Sequence, residues 1–191
     1  MDFSTVANGR RTIRRFKQIP VEEAKLRAML NVARMSPSAG NMQPLRYIVI
    51  QDSMLTSMIF ENTAWAGMVK PHRNPEPGIT APLTFIAVIG PRENGNILHA
   101  DAGAAIQSMM LTAYSLGIGC CWLGAFKRES VDMILDLPEK SSVIYLVAVG
   151  YPDESPVQED IAAGMSEKYY LDANDVLHVP KFSVDAIVEW R

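Results

Sequence analysis

Cysteine is almost missing from this chain: Cys120 and Cys121 are its two cysteines in 191 residues. They are adjacent within an apolar stretch, so they form neither a disulfide framework nor a spaced set of metal ligands. A reducing cytoplasm and two packing thiols are the expectation. Histidine is equally scarce, and His72, His99 and His178 stand too far apart in sequence for a local ligand pattern. Intrinsic metal binding is not expected. No run of 18 apolar residues occurs, and the opening MDFSTVANGRR has an acidic second residue and no apolar stretch. Neither a membrane span nor a signal peptide is expected.

Familiar catalytic signatures are also lacking. A dinucleotide fingerprint needs three spaced glycines after a strand, whereas Gly117-Ile118-Gly119 follows a helical pattern and Trp122 holds the third glycine's place. No phosphate-loop G-x-x-x-x-G-K-[ST] occurs. In SPSAG, Ser36 stands where a nucleophile elbow requires its first glycine. A chain without a positioned nucleophile, metal cluster or acid/base pair can still be an enzyme if a cofactor brings the reactive atom.

What is present is ordinary in bulk. Hydrophobic residues make up 48% and charged residues 20%, with a net charge of -3, as in a soluble globular protein. A chain of 191 residues buries roughly 70% of its unfolded surface, so residues 1–191 read as a single domain. Against the acidic balance, GRRTIRRFK at 9–17 crowds Arg10, Arg11, Arg14, Arg15 and Lys17 together. Such a cluster is either a solvated basic patch or the site of an anion. The acidic whole and the absence of interleaved aromatics argue against nucleic acid.

Periodicity supplies a scaffold. Residues 21–35 repeat apolar groups at helical spacing and end at Ser36-Pro37, and RYIVI (46–50) reads as a strand. A Met-rich helix over 53–60, a Pro/Gly-rich loop over 68–82 and a strand over 83–90 follow. A long buried helix is expected from Asp101, placed as its cap, to Leu116. After it come a strand at 118–124 with Trp122 in the core, a helix at 128–137 and a buried strand at 142–150. The chain then turns polar to residue 178 and closes on amphipathic PKFSVDAIVEWR. Alternating helices and strands suggest, by default, a parallel doubly wound sheet.

Three stretches carry a more specific pattern: GRRTIRRF (9–16), ARMSPSAGNMQPLRYIVI (33–50) and HADAGAAIQSMMLTAYSLGIGCCWLGAF (99–126), with VGYPDESP and VPKFSVDAIVEW behind them. In joint order and spacing they resemble the FMN-dependent nitroreductase family. The resemblance implies an α+β fold with a mostly antiparallel central sheet flanked by helices, in an intertwined homodimer whose C-terminal extension embraces the partner. It implies FMN as cofactor, NADH or NADPH as co-substrate, and a small-molecule electron acceptor such as a nitroaromatic or quinone.

By the same resemblance, Arg10, Arg11, Thr12 and Arg14 contact the flavin, while Arg15 and Lys17 are expected in solvent. A phosphate monoester is near dianionic at neutral pH, and charge-assisted hydrogen bonds to it contribute about 1.5–3 kcal/mol each. Pro37, Ser38, Asn41 and Gln43 would cover the partner's flavin; read alone, their segment is equally a helix-stop loop. Leu123 and Gly124 would bring backbone to the flavin ring. Lys181 would complete the phosphate site, with Val179 where relatives commonly place a second cation. Two other readings stay open: a flavin-binding protein without turnover, and a related flavin chemistry such as reductive dehalogenation.

Overall fold

The computed structural model describes residues 1–69, 73–93 and 95–191, so His72 and part of the 68–82 loop lie outside the described residues. Four strands, β1 (Arg46–Ile50), β2 (Thr84–Pro91), β3 (Gly119–Leu123) and β4 (Ser141–Gly150), form one sheet in the order β1-β2-β4-β3. Every pairing in it is antiparallel. The parallel default is thus overturned, and the fold is α+β. What misled periodicity is burial on both faces: seven of the eight β2 residues are buried, as in a parallel strand, because helices and loops cover this antiparallel sheet on each side.

On one face lie α2 (Glu23–Arg34) and α4 (Asn96–Ser115). Leu26, Met29 and Ala33 of α2 and Ala102, Ala105, Ile106, Met109 and Ala113 of α4 pack against Ile86, Val88, Val147 and Val149. Fully burying one such aliphatic side chain stabilises by about 1.5–3 kcal/mol. On the other face, Ile59 of α3 (Ser53–Glu61) and Val131 of α5 (Arg128–Ile134) join Ile13, Phe16 and Trp65 over Phe85, Ala87, Leu146 and Ala148.

Helix α4 begins at Asn96, not at Asp101, and Gly95 is its N-cap. Asp101 sits in the second turn, 7% exposed, where its Oδ1 accepts the Ala39 N–H at 3.1 Å. Its capping chemistry is therefore directed at the 37–43 loop instead of its own helix. A short helix that periodicity misses, α1 (Phe3–Gly9), opens the chain, capped by Asp2, whose carboxylate accepts the Thr5 N–H at 3.0 Å. Seven residues are too few to show a helical repeat.

The polar run after Gly150 also folds. Strands β5 (Val157–Ile161), β6 (Tyr170–Leu171) and β7 (Leu177–Phe182) make a second sheet in the order β5-β7-β6, followed by one turn, α6 (Val184–Ile187). β5 runs parallel to β7 and β6 antiparallel to it. The 68–82 loop, where described, contributes turns and the buried Arg73.

Candidate functional site

The basic segment runs extended from the end of α1. Arg10 is the C-cap, with φ -62° and ψ 125°, and the chain then runs beside the free edge of β3. Thr12 forms a parallel bridge with Cys120, and the Ile13 N–H donates to the Cys120 carbonyl at 2.9 Å. Farther along, Lys17 N–H donates to Tyr151 O at 2.8 Å and Asp153 N–H to Arg15 O at 2.9 Å. Ile13 and Phe16 are the apolar anchors, both buried in one core cluster, and the cations are left for the rim.

The five cations differ in what they already hold. Arg11 folds back, its Nη2 donating to Asn8 O and to Gln158 Oε1 of β5, each at 2.6 Å. The Arg14 guanidinium lies 5.1 Å from the Tyr169 ring centroid, a cation–π contact. Arg15 pairs with Asp175 at 3.3 Å and is 27% exposed, so the expectation of a solvated Arg15 fails; the small sheet supplies its partner. Lys17 is exposed. In Arg10 the Nε is buried and unsatisfied by any protein group. Burial, then the neighbouring Arg11 charge, pulls the Arg10 pKa below its ordinary value.

Arg10 and Arg11 line a cavity of about 250 Å³ together with Tyr114, Cys120, Glu154 and Ser155. A second cavity, of about 440 Å³, is lined by Pro37, Ser38 and Gln43 with Arg46, Tyr47 and Asp101. Within one protomer Arg10 and Arg11 therefore line a different space from Pro37, Ser38 and Gln43. The loop between α2 and β1 is tightly folded: Ser38 Oγ accepts the Gln43 N–H at 3.0 Å. Gly40, Asn41 and Gln43 take φ of 56°, 54° and 46°. Asn tolerates this left-handed region, whereas Gln43 is held there against its preference. Asn41 is exposed.

Leu123 ends β3, 5% exposed, and Gly124 follows it at the surface. A Cβ on Gly124 would meet Tyr145 at an ordinary 3.6 Å, so the protein's own packing does not demand glycine there. Trp122 is 37% exposed, not in the core; it meets Tyr145 edge to face at 5.1 Å. The position of β3 at the sheet edge leaves its outer end uncovered. Lys181 lies on β7 opposite Asp160, exposed and in the lining of neither cavity.

Both thiols are packing groups. Burial raises the Cys121 pKa to about 12 and pushes Cys120 up as well, which leaves neither thiol nucleophilic at neutral pH.

Sequence reasoning missed the groups beneath the cations. Glu154, Asp175, Tyr169 and Gln158 touch the basic segment, and Arg73 lies behind them, against Glu154 and Asp175. The PDE of GYPDESP has no local pattern that marks its glutamate as buried.

Comparison with known proteins bears on the family and the fold. A protein named NADH dehydrogenase from Thermus thermophilus is 30% identical over 185 residues, covering 81% of this chain and 88% of its own. A Desulfovibrio desulfuricans protein solved in complex with FMN superposes with a TM-score of 0.68 at 26% identity, covering 83% of this chain and 91% of its own. An FMN- and NADPH-dependent nitroreductase from Sphigopyxis sp. strain HMH shares the fold over 100% of this chain and 99% of its own, with a TM-score of 0.73 at 18% identity. The sequence pattern of the Nitroreductase family matches residues 7–151, the span that holds the basic segment, the 37–43 loop and the end of β3: the chain belongs to the nitroreductase family.

Proposed function

We propose that this chain is an FMN-dependent oxidoreductase that acts as a homodimer, taking reducing equivalents from NADH or NADPH and delivering them to a nitroaromatic, quinone or similar small acceptor. The observation that carries the reading is Arg10, a cation at the mouth of a cavity with a buried Nε that no protein group satisfies. A buried unpaired donor is costly unless a ligand completes it. The residues fit FMN: a guanidinium cluster suits a terminal phosphate, and Gly124 offers backbone with no Cβ in the way.

When bound, FMN would supply two-electron redox chemistry linking NAD(P)H and the acceptor in two separate half-reactions. The chain's own groups bind and orient. Arg10, Arg11 and Arg14, with Lys181 and the Thr12 hydroxyl, hold the phosphate end. Leu123 and Gly124 place backbone N–H groups against the ring edge. Pro37, Ser38 and Gln43 line a space apart from Arg10 and Arg11 in their own protomer, which supports their serving, with the exposed Asn41, the site of a second copy. Among the described residues no helix is long and apolar enough to cross a membrane; we place the protein in the cytoplasm, where its two buried thiols stay reduced.

Denaturing the purified protein and identifying the released flavin tests the cofactor. FMN is expected, followed by bleaching of the holoprotein on anaerobic addition of NADH or NADPH. Protein that neither contains nor takes up FMN sinks the proposal. Bound FMN that neither nucleotide reduces makes the chain a flavin carrier.

A further inference from the structure

A carboxylate is buried beneath the arginines. The Glu154 side chain is 3% exposed and that of Arg73 4% exposed. Glu154 Oε1 accepts the backbone N–H of Arg14, and that of Arg15 at 3.1 Å. Its Oε2 lies 3.7 Å from Arg73 Nη1. Arg73 reaches with its other nitrogen to Asp175, donating to the carbonyl and standing 3.5 Å from the carboxylate. Asp175, in the β6–β7 turn, also pairs with Arg15 at 3.3 Å.

This arrangement fills a gap in the backbone pairing. Ile13 N–H donates to Cys120 O beside β3, and Phe16 N–H to Thr80 O, each at 2.9 Å. The two amides between them belong to Arg14 and Arg15, where the chain leaves the sheet edge. Buried amides need acceptors, and one carboxylate oxygen serves both. As a source of stability a buried ion pair is a poor choice, since desolvation offsets most of its attraction and an apolar pair would do as well. What it provides is a fixed backbone at Arg14, and hence a fixed departure for that side chain.

We propose that Glu154 and Arg73 are positioning residues of the anion site: the carboxylate pins the Arg14–Arg15 backbone, Arg73 holds the carboxylate, and the Arg14 guanidinium is thereby aimed at the phosphate of the cofactor. The proposal rests on the FMN reading for the identity of the anion. It assigns no contact with the ligand to either residue. Because Arg73 also grips Asp175, the small sheet and the basic segment are tied through one buried guanidinium.

The test is a double-mutant cycle on the full chain. FMN, riboflavin and inorganic phosphate are titrated against wild type, Glu154→Met, Arg14→Ala and the double variant, with thermal midpoints recorded for each. Glu154→Met, which fills the space but offers the Arg14 and Arg15 amides no oxygen acceptor, is expected to weaken FMN and phosphate on the order of tenfold, the effect of one charge-assisted contact, while riboflavin changes little. In the Arg14→Ala background the same substitution should cost no further affinity, because Glu154 acts through Arg14. Equal losses for FMN and riboflavin that follow the thermal midpoint, or additive losses in the cycle, overturn the proposal. Should Glu154→Met not fold, Arg73→Lys replaces it in the cycle: it keeps the charge but cannot reach Glu154 and Asp175 together, and the same non-additivity with Arg14→Ala is required. Wild type that takes phosphate but not FMN, with the coupling intact, retires the cofactor reading and keeps the pin. Wild type that takes neither overturns both.

Discussion

Gly119 and Gly150 face each other across the β3–β4 ladder, and each leaves the space of a missing Cβ to a side chain of the basic segment. A Cβ at Gly119 would lie 2.7 Å from Ile13 Cγ1, and one at Gly150 would lie 2.8 Å from Phe16 Cδ1. Two glycines thus seat the two apolar anchors between which Arg14 and Arg15 are strung.

Substituting either glycine tests this seating. Gly119→Ala or Gly150→Ala should destabilise the fold by about 1–3 kcal/mol through overpacking, read as a lower urea midpoint at unchanged m-value. FMN affinity should fall as the segment lifts. Full stability in both variants would show that the segment relaxes freely, contrary to this account.

Charge at the phosphate end gives a second expectation. Arg10→Ala and Arg14→Ala should each weaken FMN roughly tenfold or more, corresponding to about 1.5–3 kcal/mol per lost charge-assisted contact. Riboflavin, which has no phosphate, should lose far less, and Lys17→Ala should affect neither ligand. Equal losses for both flavins would assign the arginines to the fold; no loss for either would leave a surface patch.

Assembly is tested at Asn41, an exposed residue of the 37–43 loop. Asn41→Gly, which keeps the left-handed φ of 54° without strain, should weaken FMN binding while leaving the unfolding free energy within about 0.5 kcal/mol of wild type, as a surface loop change does. Sedimentation velocity on the holoprotein should show a dimer. A monomer carrying stoichiometric FMN contradicts a site shared between copies.

The small sheet has its own pH dependence. His178 Nδ1 lies 2.5 Å from Glu159 and Nε2 3.4 Å from Asp172, and its ring stacks on Tyr170 at 4.9 Å. Burial alone lowers its pKa, but the hydrogen bonds and charges of Glu159 and Asp172 outweigh that and raise it above 6.5. The stabilisation is therefore complete below 6.5 and is lost as pH rises through the raised folded-state value. Asp172 runs the other way. The Val176 N–H, more than any other partner, holds its pKa below 3.8, so its contribution is present above 3.8 and lost as pH falls through the lowered value. Amide protection factors in β5–β7, corrected for the intrinsic pH dependence of exchange, should be highest between these limits, and His178→Gln should abolish the alkaline limb. An unchanged limb in that variant assigns the effect elsewhere.

Sequence made the central scaffold legible because its elements are long or uniformly apolar. β1 was readable to the residue, and the anion-seeking character of 9–17 followed from charge density alone. Burial created by distant pairing was not readable. Glu154 is acidic in an acidic stretch, and it is buried because residues 151–153 pair with 15–17. β5 hides one residue fully in five, too little apolar alternation to announce a strand. Asp101 has a capping residue's chemistry, but its recipient lies 62 residues away. The apolar neighbours of Trp122 point it inward, whereas its place near the end of an edge strand leaves it half open.

That edge has a consequence for solubility. β3 is the last strand of the main sheet, and its sequence GCCWL is apolar and uncharged. Such an edge, left bare, is a template for pairing with another chain. Thr12 and Ile13 occupy it, so the segment that carries the cations also stands guard against strand-to-strand association. Its five positive charges repel a second copy approaching along the same path. Proteolytic loss of residues 1–16 would remove the guard and four of the five charges together, opening the edge at Cys120 to self-assembly.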